Sequence, residues 1–301
     1  MSRPNRQTPG GRAYLDLQNR ARRERRTTQE LLTLYVLERW LARLAASPHA
    51  HTFILKGGLL LAVFEARRPT ADADLLARHL ASDQATVARR VADVAQVTLD
   101  PDDGVDYLTE TITAQTIRDD TDYAGVRISM NCRVSAAAVK LKLDINVGDP
   151  VTPAPRLIKL PSQRPDTPPV MVLSYPIETV LAEKTSTAIA LGEANTRVRD
   201  YADIHTLTGK HSLSHATMHA ALAATAAHRG VALRPLSEVI GGFSTTRQPA
   251  YDTFRRRLGP DGAHLPTNLT EVVADVIRFA DPLITNKKST ALWSPTDRAW
   301  R

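Results

Sequence analysis

FILKGGLLLAVFEARRPTADADLL, residues Phe53–Leu76, predicts two short strands separated by a glycine turn and an apolar helix. The turn is Lys56-Gly57-Gly58. Arg67-Arg68-Pro69 ends the helix, because proline lacks the backbone donor that a helix interior needs. A glycine turn at a helix N-terminus exposes backbone N–H groups, which favour an anionic ligand. The segment therefore predicts a turn that binds a polyphosphate.

Two carboxylates lie on the second strand of this segment. Side chains alternate between the two faces of a strand, so Thr70, Asp72 and Asp74 are expected to point the same way. Carboxylates at this spacing repel each other unless a divalent cation lies between them, and Mg²⁺ prefers such oxygen ligands. Together with the glycine turn, they predict a metal–nucleotide site.

The composition is that of a folded protein with an acidic partner. A chain of 301 residues can bury one large core or two modest ones. The net charge of +7 favours a phosphate-bearing partner, although arginines on solvated faces explain it equally well. The single cysteine, Cys132, excludes internal disulfides and a multi-cysteine zinc site. No apolar run is long enough to span a bilayer, so we expect a cytoplasmic protein without a membrane partner.

The chain is expected to divide at a proline-rich connection. Prolines occur at positions 150, 153, 155, 161, 165, 168 and 169, over a stretch too long for an ordinary turn. The expected segments are a basic, partly flexible N-terminus (1–27), an α/β core (28–150), the connection (151–169), a mainly helical half (170–285) and a weakly structured tail (286–301).

Hydrophobic periodicity predicts the elements on either side of the connection. Helices are expected over 28–46, 82–97, 176–191, 197–208, 215–228, 251–258 and 269–279, and strands over 105–118, 125–134, 138–147 and 170–173. Alternation is clearest in VKLKLDINV, which places Asp144 on the polar face of its strand. There it either completes an acidic triad with Asp72 and Asp74 or is an exposed strand carboxylate.

A lysine interrupts the apolar face of the helix predicted over 176–191. Lys184 falls in the middle of the stripe formed by Val180, Leu181 and Ala188. An unpaired ammonium in a core costs several kcal/mol, so this lysine needs a partner. It pairs with a structural carboxylate, or it meets a polyphosphate in a cleft. Asp200, at the start of the next helix, is expected at the edge of the same cleft or as a cap.

Three motifs together resemble a known family. KGG at 56–58 followed by RPTADAD at 68–74 resembles the glycine-spacer-DxD signature of the DNA polymerase β-like nucleotidyltransferases. With YPIETVLAEKTSTAIALG at 175–192 and TRVRDYADIHTL at 196–207, the chain is similar to the AbiEii/MenT toxins of bacterial type IV-like toxin–antitoxin and phage-defence systems. The second glycine stands where many polymerase β relatives have serine, which leaves phosphate contacts to backbone N–H groups and Lys56.

The resemblance implies a fold and a set of site residues. The fold is an α/β class, polymerase β-like core with a mixed sheet, followed by a mainly helical half that completes the cleft. The implied catalytic residues are Asp72, Asp74, Lys184 and Asp200. The implied metal ligands are Asp72, Asp74 and Asp144, the implied nucleotide contacts are Lys56, Gly57, Gly58 and Arg197, and the implied regulatory phosphorylation site is Thr70.

The resemblance also implies an activity. It is Mg²⁺-dependent addition of a nucleotide from an NTP, with CTP or UTP favoured, to the 3′ acceptor end of tRNA, which blocks translation. A cognate antitoxin protein is the implied partner. Two alternatives stay open: nucleotidylation of a protein target, and a non-catalytic RNA- or partner-binding module on the same fold. The chain contains no GxxxxGK[ST], HExxH or GxSxG motif for other enzyme classes.

Overall fold

Two compact units make up the protein. The computed structural model describes residues 4–66, 68–118, 124–165, 167–285 and 290–301. The first unit takes in the chain up to Val63, Thr70–Gly148 and Arg156–Ser174, and the second takes in Phe64–Pro69, Asp149–Pro155 and the chain from Tyr175. No helix within the described ranges is long and apolar enough to cross a membrane.

The first unit is built on a mixed sheet, in which the described residues form seven strands. The strands are β1 (Phe53–Lys56), β2 (Ala73–Ala77), β3 (Val105–Arg118), β4 (Ala124–Val134), β5 (Ala137–Val147), β6 (Arg156–Leu160) and β7 (Val170–Ser174). Their order across the sheet is β3-β4-β5-β2-β1-β7-β6. Strand β2 lies antiparallel to β1 and parallel to β5. The turn after β1 and the start of β2 therefore lie side by side in the middle of the sheet.

Alternation along β5 explains why the sheet forms. Its apolar side chains face the core, and Leu141, Leu143 and Ile145 are fully buried, whereas Lys140 and Lys142 are exposed. Strands β3, β4 and β5 form an antiparallel meander. The three strands predicted for this region are confirmed to within one residue, because strict alternation over a long run is a strong signal.

Four helices accompany this sheet in the described part of the first unit. They are α1 (Pro9–Glu24), α2 (Thr28–Ala46), α3 (Gly57–Leu61) and α4 (Gln84–Ala95). The predicted bounds of α2 are confirmed. The flexible start predicted for residues 1–27 is wrong over α1, which Thr8 caps by accepting a hydrogen bond from the Gly11 N–H. Ala13, Leu17 and Ala21 are buried on one face of α1, a stripe that the arginines on its other face obscure in the sequence.

The proline-rich connection predicted over 151–169 also contains regular structure. Strand β6 lies within it and pairs antiparallel with β7, so that Leu157 is opposite Leu173. This strand was not predicted, because RLIKL is a short proline-free run between proline clusters. Strand β6 is the last strand of the sheet, a position that tolerates flanking prolines.

The second unit is mainly helical. Its described α-helices and strands are, in chain order, α5 (Ile177–Leu191), α6 (Val198–Thr208), β8 (Leu213–Ser214), α7 (His215–His228), α8 (Leu236–Val239), α9 (Phe243–Leu258), α10 (Leu269–Thr285), β9 (Leu292–Ser294) and β10 (Ala299–Trp300). The predicted helices α5, α6 and α7 are confirmed to within one residue. Helix α9 starts before the predicted residue 251, and α10 ends beyond 279, because both continue through a proline, Pro249 and Pro282. Each proline removes one backbone donor, and packing on both sides retains the helix.

The tail predicted to be weakly structured over 286–301 instead contains a strand pair, although its residues 286–289 lie outside the described ranges. Strands β9 and β10 pair antiparallel, and β9 also pairs with β8. Trp293 is fully buried, and its indole N–H donates a 2.8 Å hydrogen bond to the Thr208 carbonyl at the end of α6. The Trp300 indole N–H donates to the Phe279 carbonyl. The two tryptophans anchor this segment, because each ring packs on apolar side chains while its N–H donates a hydrogen bond. Contacts of single residues of this kind produce no hydrophobic period in the sequence.

A buried histidine joins α6 to the same C-terminal segment. His205 Nε2 lies 3.2 Å from a guanidinium nitrogen of Arg298, and its Nδ1 lies 3.0 Å from Asp275 Oδ2. A neutral ring with its proton on Nδ1 suits both neighbours, because the guanidinium can only donate and the carboxylate can only accept, although the Nδ1–Asp275 contact is not an aligned hydrogen bond. Burial, followed by the Arg298 charge, lowers the pKa of His205 to about 4, and Asp275 opposes that shift.

We predict that this histidine makes the protein sensitive to acid. In the unfolded chain a histidine has a pKa of about 6.5, so between pH 6.5 and pH 4 the unfolded state binds the additional proton. The free energy of unfolding therefore falls as the pH is lowered through that window, by up to roughly 3 kcal/mol from this residue. In the variant His205→Gln, the amide reproduces both contacts without titrating, and urea unfolding at pH 7 and pH 4.5 is expected to show a smaller loss. Equal losses in both proteins would contradict the assignment.

Candidate active site

The glycine turn is built around the carboxylate of Asp74. Lys56, at the end of β1, is the register partner of Asp74 on β2. The Gly58 N–H lies 3.3 Å from Asp74 Oδ2 and donates to it. Gly57 has a φ of +67°, and a Cβ there would lie 1.7 Å from the same oxygen. Position 57 therefore requires glycine both for its backbone conformation and for the close approach of the carboxylate.

The helix that follows this turn is shorter than predicted. Helix α3 has five residues and ends at Leu61, well before the Arg67-Arg68-Pro69 break, and position 67 lies outside the described residues. The turn N–H that was predicted to bind phosphate is directed at Asp74. The glycines thus position a carboxylate, and the contact to phosphate stays a prediction.

A matched pair of variants measures the close approach at Gly57. Gly230 has a φ of +63° with nothing near its hypothetical Cβ, so Gly230→Ala introduces only the strain of a left-handed residue, about 1–2 kcal/mol. Gly57→Ala adds the clash with Asp74 and is expected to lower the free energy of unfolding by roughly 1–3 kcal/mol more. Thermal unfolding of the two proteins checks this, and equal losses would show that Asp74 moves aside freely.

Asp72 and Thr70 form a second contact beside this turn. Strand β2 begins at Ala73, so Asp72 directly precedes the strand, and the predicted shared strand face does not extend to Thr70. The Thr70 hydroxyl nevertheless donates to Asp72 Oδ1 at 2.9 Å. Burial, followed by the negative charge of Asp72, raises the pKa of Asp74, and Lys56 acts in the opposite direction. The two carboxylates are therefore close enough to repel each other.

Asp144 is held by Arg127, which was not among the predicted site residues. Its register partner on β2 is Asp74, as expected for a triad. Both of its carboxylate oxygens, however, accept hydrogen bonds from Arg127 on β4, from Nε at 2.7 Å and from Nη2 at 2.6 Å. This bidentate pairing raises the pKa of Arg127, and it occupies one lone pair on each oxygen of Asp144 and offsets its negative charge. The role of Asp144 as a metal ligand remains a prediction.

The donor chemistry at the turn fits a divalent cation. Asp72 and Asp74 offer carboxylate oxygens, the ligands that Mg²⁺ prefers, and their mutual repulsion is relieved by positive charge. Within the described ranges, no group of three or more His, Cys, Asp and Glu side chains is arranged to hold a metal ion. A cation here would therefore rely on the two aspartates and on oxygen atoms of its substrate.

The second unit contains a separate charged cluster around Lys184, which lies on α5. Its ammonium donates to Asp200 Oδ1 at 2.6 Å and to Asp203 Oδ2 at 2.7 Å, both on α6. Arg68 Nε lies 3.5 Å from Asp203 Oδ2, and Arg197 Nη1 lies 3.9 Å from Asp200 Oδ2. Asp200, which was expected at the edge of the same cleft or as a helix cap, contacts the Lys184 ammonium directly. We call these five residues the Lys184 cluster.

The charges of this cluster are strongly coupled. Burial acts to lower the pKa of Lys184, but Asp200 and Asp203 outweigh burial and raise it. Burial acts to raise the pKa of Asp200, but Lys184 outweighs burial and lowers it. Both groups are therefore charged at neutral pH, so Lys184 acts as a fixed positive charge and not as a proton acceptor.

Two residues that were not predicted as part of the site, Asp203 and Arg127, could have been identified from the sequence. Asp203 follows Asp200 by three residues, which places both on one side of a helix. Arg127 lies opposite Asp144 because the β4–β5 hairpin turns between Val134 and Ala137, which fixes the register along both strands. Counting that register from the turn would have identified the Arg127–Asp144 pair.

The mixed sheet, with an aspartate pair beside a glycine turn, agrees with the resemblance to α/β nucleotidyltransferases. The family model described as "Nucleotidyl transferase AbiEii toxin, Type IV TA system" matches residues 39–276. The chain belongs to this family of toxin–antitoxin nucleotidyltransferases. The match includes every residue of the turn and of the Lys184 cluster.

Two solved structures from Helicobacter pylori resemble the chain. The structure of JHP933 is 16% identical with a TM-score of 0.45, and it matches over 87% of this chain and 94% of that chain. A second H. pylori protein, provisionally called a nucleotidyltransferase, is 16% identical with a TM-score of 0.44, over 87% of this chain and 96% of that chain. No curated protein matches the chain.

Proposed function

We propose that this protein transfers a nucleoside monophosphate from an NTP, preferably CTP or UTP, to the 3′ acceptor end of tRNA, with release of pyrophosphate, and so blocks translation. The observation that carries the proposal is Asp74, half-buried against a turn that requires glycine at position 57, with Asp72 beside it. This arrangement keeps two carboxylates close together, and their mutual repulsion favours a bound cation. Family membership supplies the reaction class, and the acceptor and the base preference are part of the proposal.

Each residue has a role that follows from its charge. Asp72 and Asp74 would hold Mg²⁺, which when bound supplies positive charge to the triphosphate and promotes attack by a hydroxyl. Lys184 supplies a fixed positive charge for phosphate. Asp200 and Asp203 hold the Lys184 ammonium in one position from two sides. We propose that the turn and the Lys184 cluster serve the same reaction, with Lys56 and Arg197 as further nucleotide contacts.

The basic surplus supports a nucleic-acid acceptor. A net charge of +7 favours association with an RNA backbone through release of counterions, and this attraction weakens as salt increases. Binding of this kind requires no open aromatic platform, and aromatic residues make up only 5% of the chain. A cognate antitoxin protein is the proposed regulatory partner.

Thr70 is the proposed point of regulation. Its hydroxyl donates to the Asp72 carboxylate, so a phosphate on that oxygen would replace a hydrogen-bond donor with a charge of about −1.5 to −2. The new charge would repel Asp72 and compete for the cation that the carboxylates bind. Phosphorylation is therefore expected to silence transfer.

Labelled NTPs test the function directly. The purified protein is incubated with each of the four labelled NTPs in turn, with total tRNA or with a cell lysate as the acceptor. Label on tRNA that depends on Mg²⁺ and is strongest with CTP or UTP supports the proposal. Label found only on protein would show that the acceptor is a protein and not RNA. Absence of label in every reaction would favour a non-catalytic binding module.

A further inference from the structure

A basic recess lies in the second unit, between the start of α6 and one face of α9. Its cavity volume is about 300 Å³. Residues 196–199 line one side, and Ala250, Thr253, Phe254 and Arg257 line the other. These four positions follow the i, i+3, i+4, i+7 spacing of a single helix face. We call this feature the α6–α9 recess.

The charges in the recess are of one sign. Arg197, Arg199 and Arg257 line it, and among the described lining residues there is no Asp or Glu. Arg199 and Arg257 are exposed, and neither guanidinium forms a hydrogen bond or salt bridge with another described residue. Arginines gathered around one small cavity repel each other, and an anionic ligand relieves that repulsion.

Helix stability accounts for only one of these arginines. Arg257 lies in the last turn of α9, where a cation is favourable to the helix dipole. Arg199 is the second residue of α6, where a cation is unfavourable for the same reason. The helix dipole therefore does not explain its position, although the neighbouring Asp200 carboxylate attracts its charge.

Phe254 and the size of the recess restrict the ligand. Phe254 is half-buried and lines the cavity beside the small side chains of Ala250 and Thr253. A volume of about 300 Å³ holds a small ligand but not a double helix. A single unpaired nucleotide fits both properties, because its phosphate pairs with arginine and its base stacks on an aromatic ring.

We propose that the α6–α9 recess binds one unpaired nucleotide of an RNA strand, with its phosphate against the arginines and its base against Phe254. The proposal rests on the proposed function only in taking RNA as the acceptor. A free NTP suits the recess less well, because it binds with a divalent cation and the lining contains no carboxylate for that cation. Arg197 also contacts Asp200, so the recess adjoins the Lys184 cluster.

Equilibrium RNA binding tests the recess without relying on catalysis. The probes are an RNA hairpin with a short unpaired 3′ tail, the same hairpin with a blunt end, and a fluorescent CTP analogue. In the double variant Arg199→Ala/Arg257→Ala, affinity for the tailed hairpin is expected to fall about tenfold, with a salt dependence weaker by roughly 1.4 in log–log slope. Affinities for the blunt hairpin and the CTP analogue are expected to stay within about twofold of the wild type.

Stacking has a readout of its own. With 2-aminopurine in the unpaired tail, wild-type protein is expected to quench its fluorescence on binding. Phe254→Leu retains the apolar bulk but removes the ring, so the quenching is expected to be lost. Quenching of equal size in the variant would overturn the assignment of Phe254.

A control variant separates the recess from general charge. Arg22→Ala/Arg23→Ala removes the same two charges from an exposed part of α1. If this control weakens binding of the tailed hairpin as much as the recess variant does, or if the recess variant loses the CTP analogue instead, the recess proposal is overturned. Tail-dependent binding without any label transfer would remove the transferase proposal alone, and transfer to tRNA with unchanged binding in the recess variant would remove the recess proposal alone.

Discussion

Asp74→Asn is expected to reduce nucleotide transfer by about 1,000-fold or more while leaving the protein folded. The amide has nearly the shape of the carboxylate and can still accept the hydrogen bond from the Gly58 N–H. It lacks the negative charge that binds a divalent cation, and a preorganised charge of this kind is worth several kcal/mol in a reaction that moves phosphate charge. Initial rates of labelled-NTP incorporation measure the loss, and thermal unfolding monitors the fold.

Asp106→Asn is the matched control for this prediction. Asp106 is also an aspartate on a strand of the same sheet, but it lies on β3 and is exposed. The substitution therefore makes the same chemical change away from the turn, and transfer is expected to stay within about twofold of the wild type. Transfer by Asp74→Asn at the rate of this control would exclude the turn as the site of the reaction.

Lys184→Met is expected to cause the largest loss of stability, about 3–5 kcal/mol, as well as loss of transfer. The variant leaves the buried carboxylates of Asp200 and Asp203 facing each other without their shared cation. Urea unfolding at pH 7 measures the loss. Lys142→Met, which removes an exposed lysine from β5, is expected to change stability by less than about 0.5 kcal/mol.

The pH dependence of this loss identifies its cause. In the wild type the pKa of Asp200 is lowered, so its pairing contributes stability above the unfolded pKa of about 3.9, and this contribution is lost as the pH falls through the folded value. Without Lys184, burial raises the pKa of that carboxyl, so the variant is destabilised most at neutral pH. The difference between the two proteins is therefore expected to shrink as the pH approaches 4. A constant difference would indicate lost packing instead of an unpaired charge.

The fold was predictable wherever one period persisted over a long segment. Helix α2 and strands β3, β4 and β5 each show that regularity, and their bounds were correct to within a residue. Helix α1 and strand β6 were missed because arginines and prolines, respectively, dominated their composition. The pairing of β9 with β10 depends on two tryptophans that contact α6 and α10, and such contacts between distant segments leave no local period in the sequence.

The candidate site was predictable as a set of residue types but not as a set of partners. Asp74 and Gly57 were selected from their motif, yet the motif does not reveal that the glycine leaves room for the carboxylate. Lys184 was selected because a cation interrupted an apolar face, and its two carboxylate partners followed from the packing of α5 on α6. The hydrogen bonds of Arg127 to Asp144 depend on the register of strands β4 and β5. That register can be counted from the sequence only once the position of the turn between these strands is known.

The Trp293–Thr208 hydrogen bond couples strand β9 to the helix that carries the two carboxylate partners of Lys184. Helix α6 carries Asp200 and Asp203 near its start and is joined at its end to strand β9 by that indole. Removal of β9 and β10 would expose the end of α6 to solvent, so the packing of this helix depends on a segment about 85 residues further along the chain.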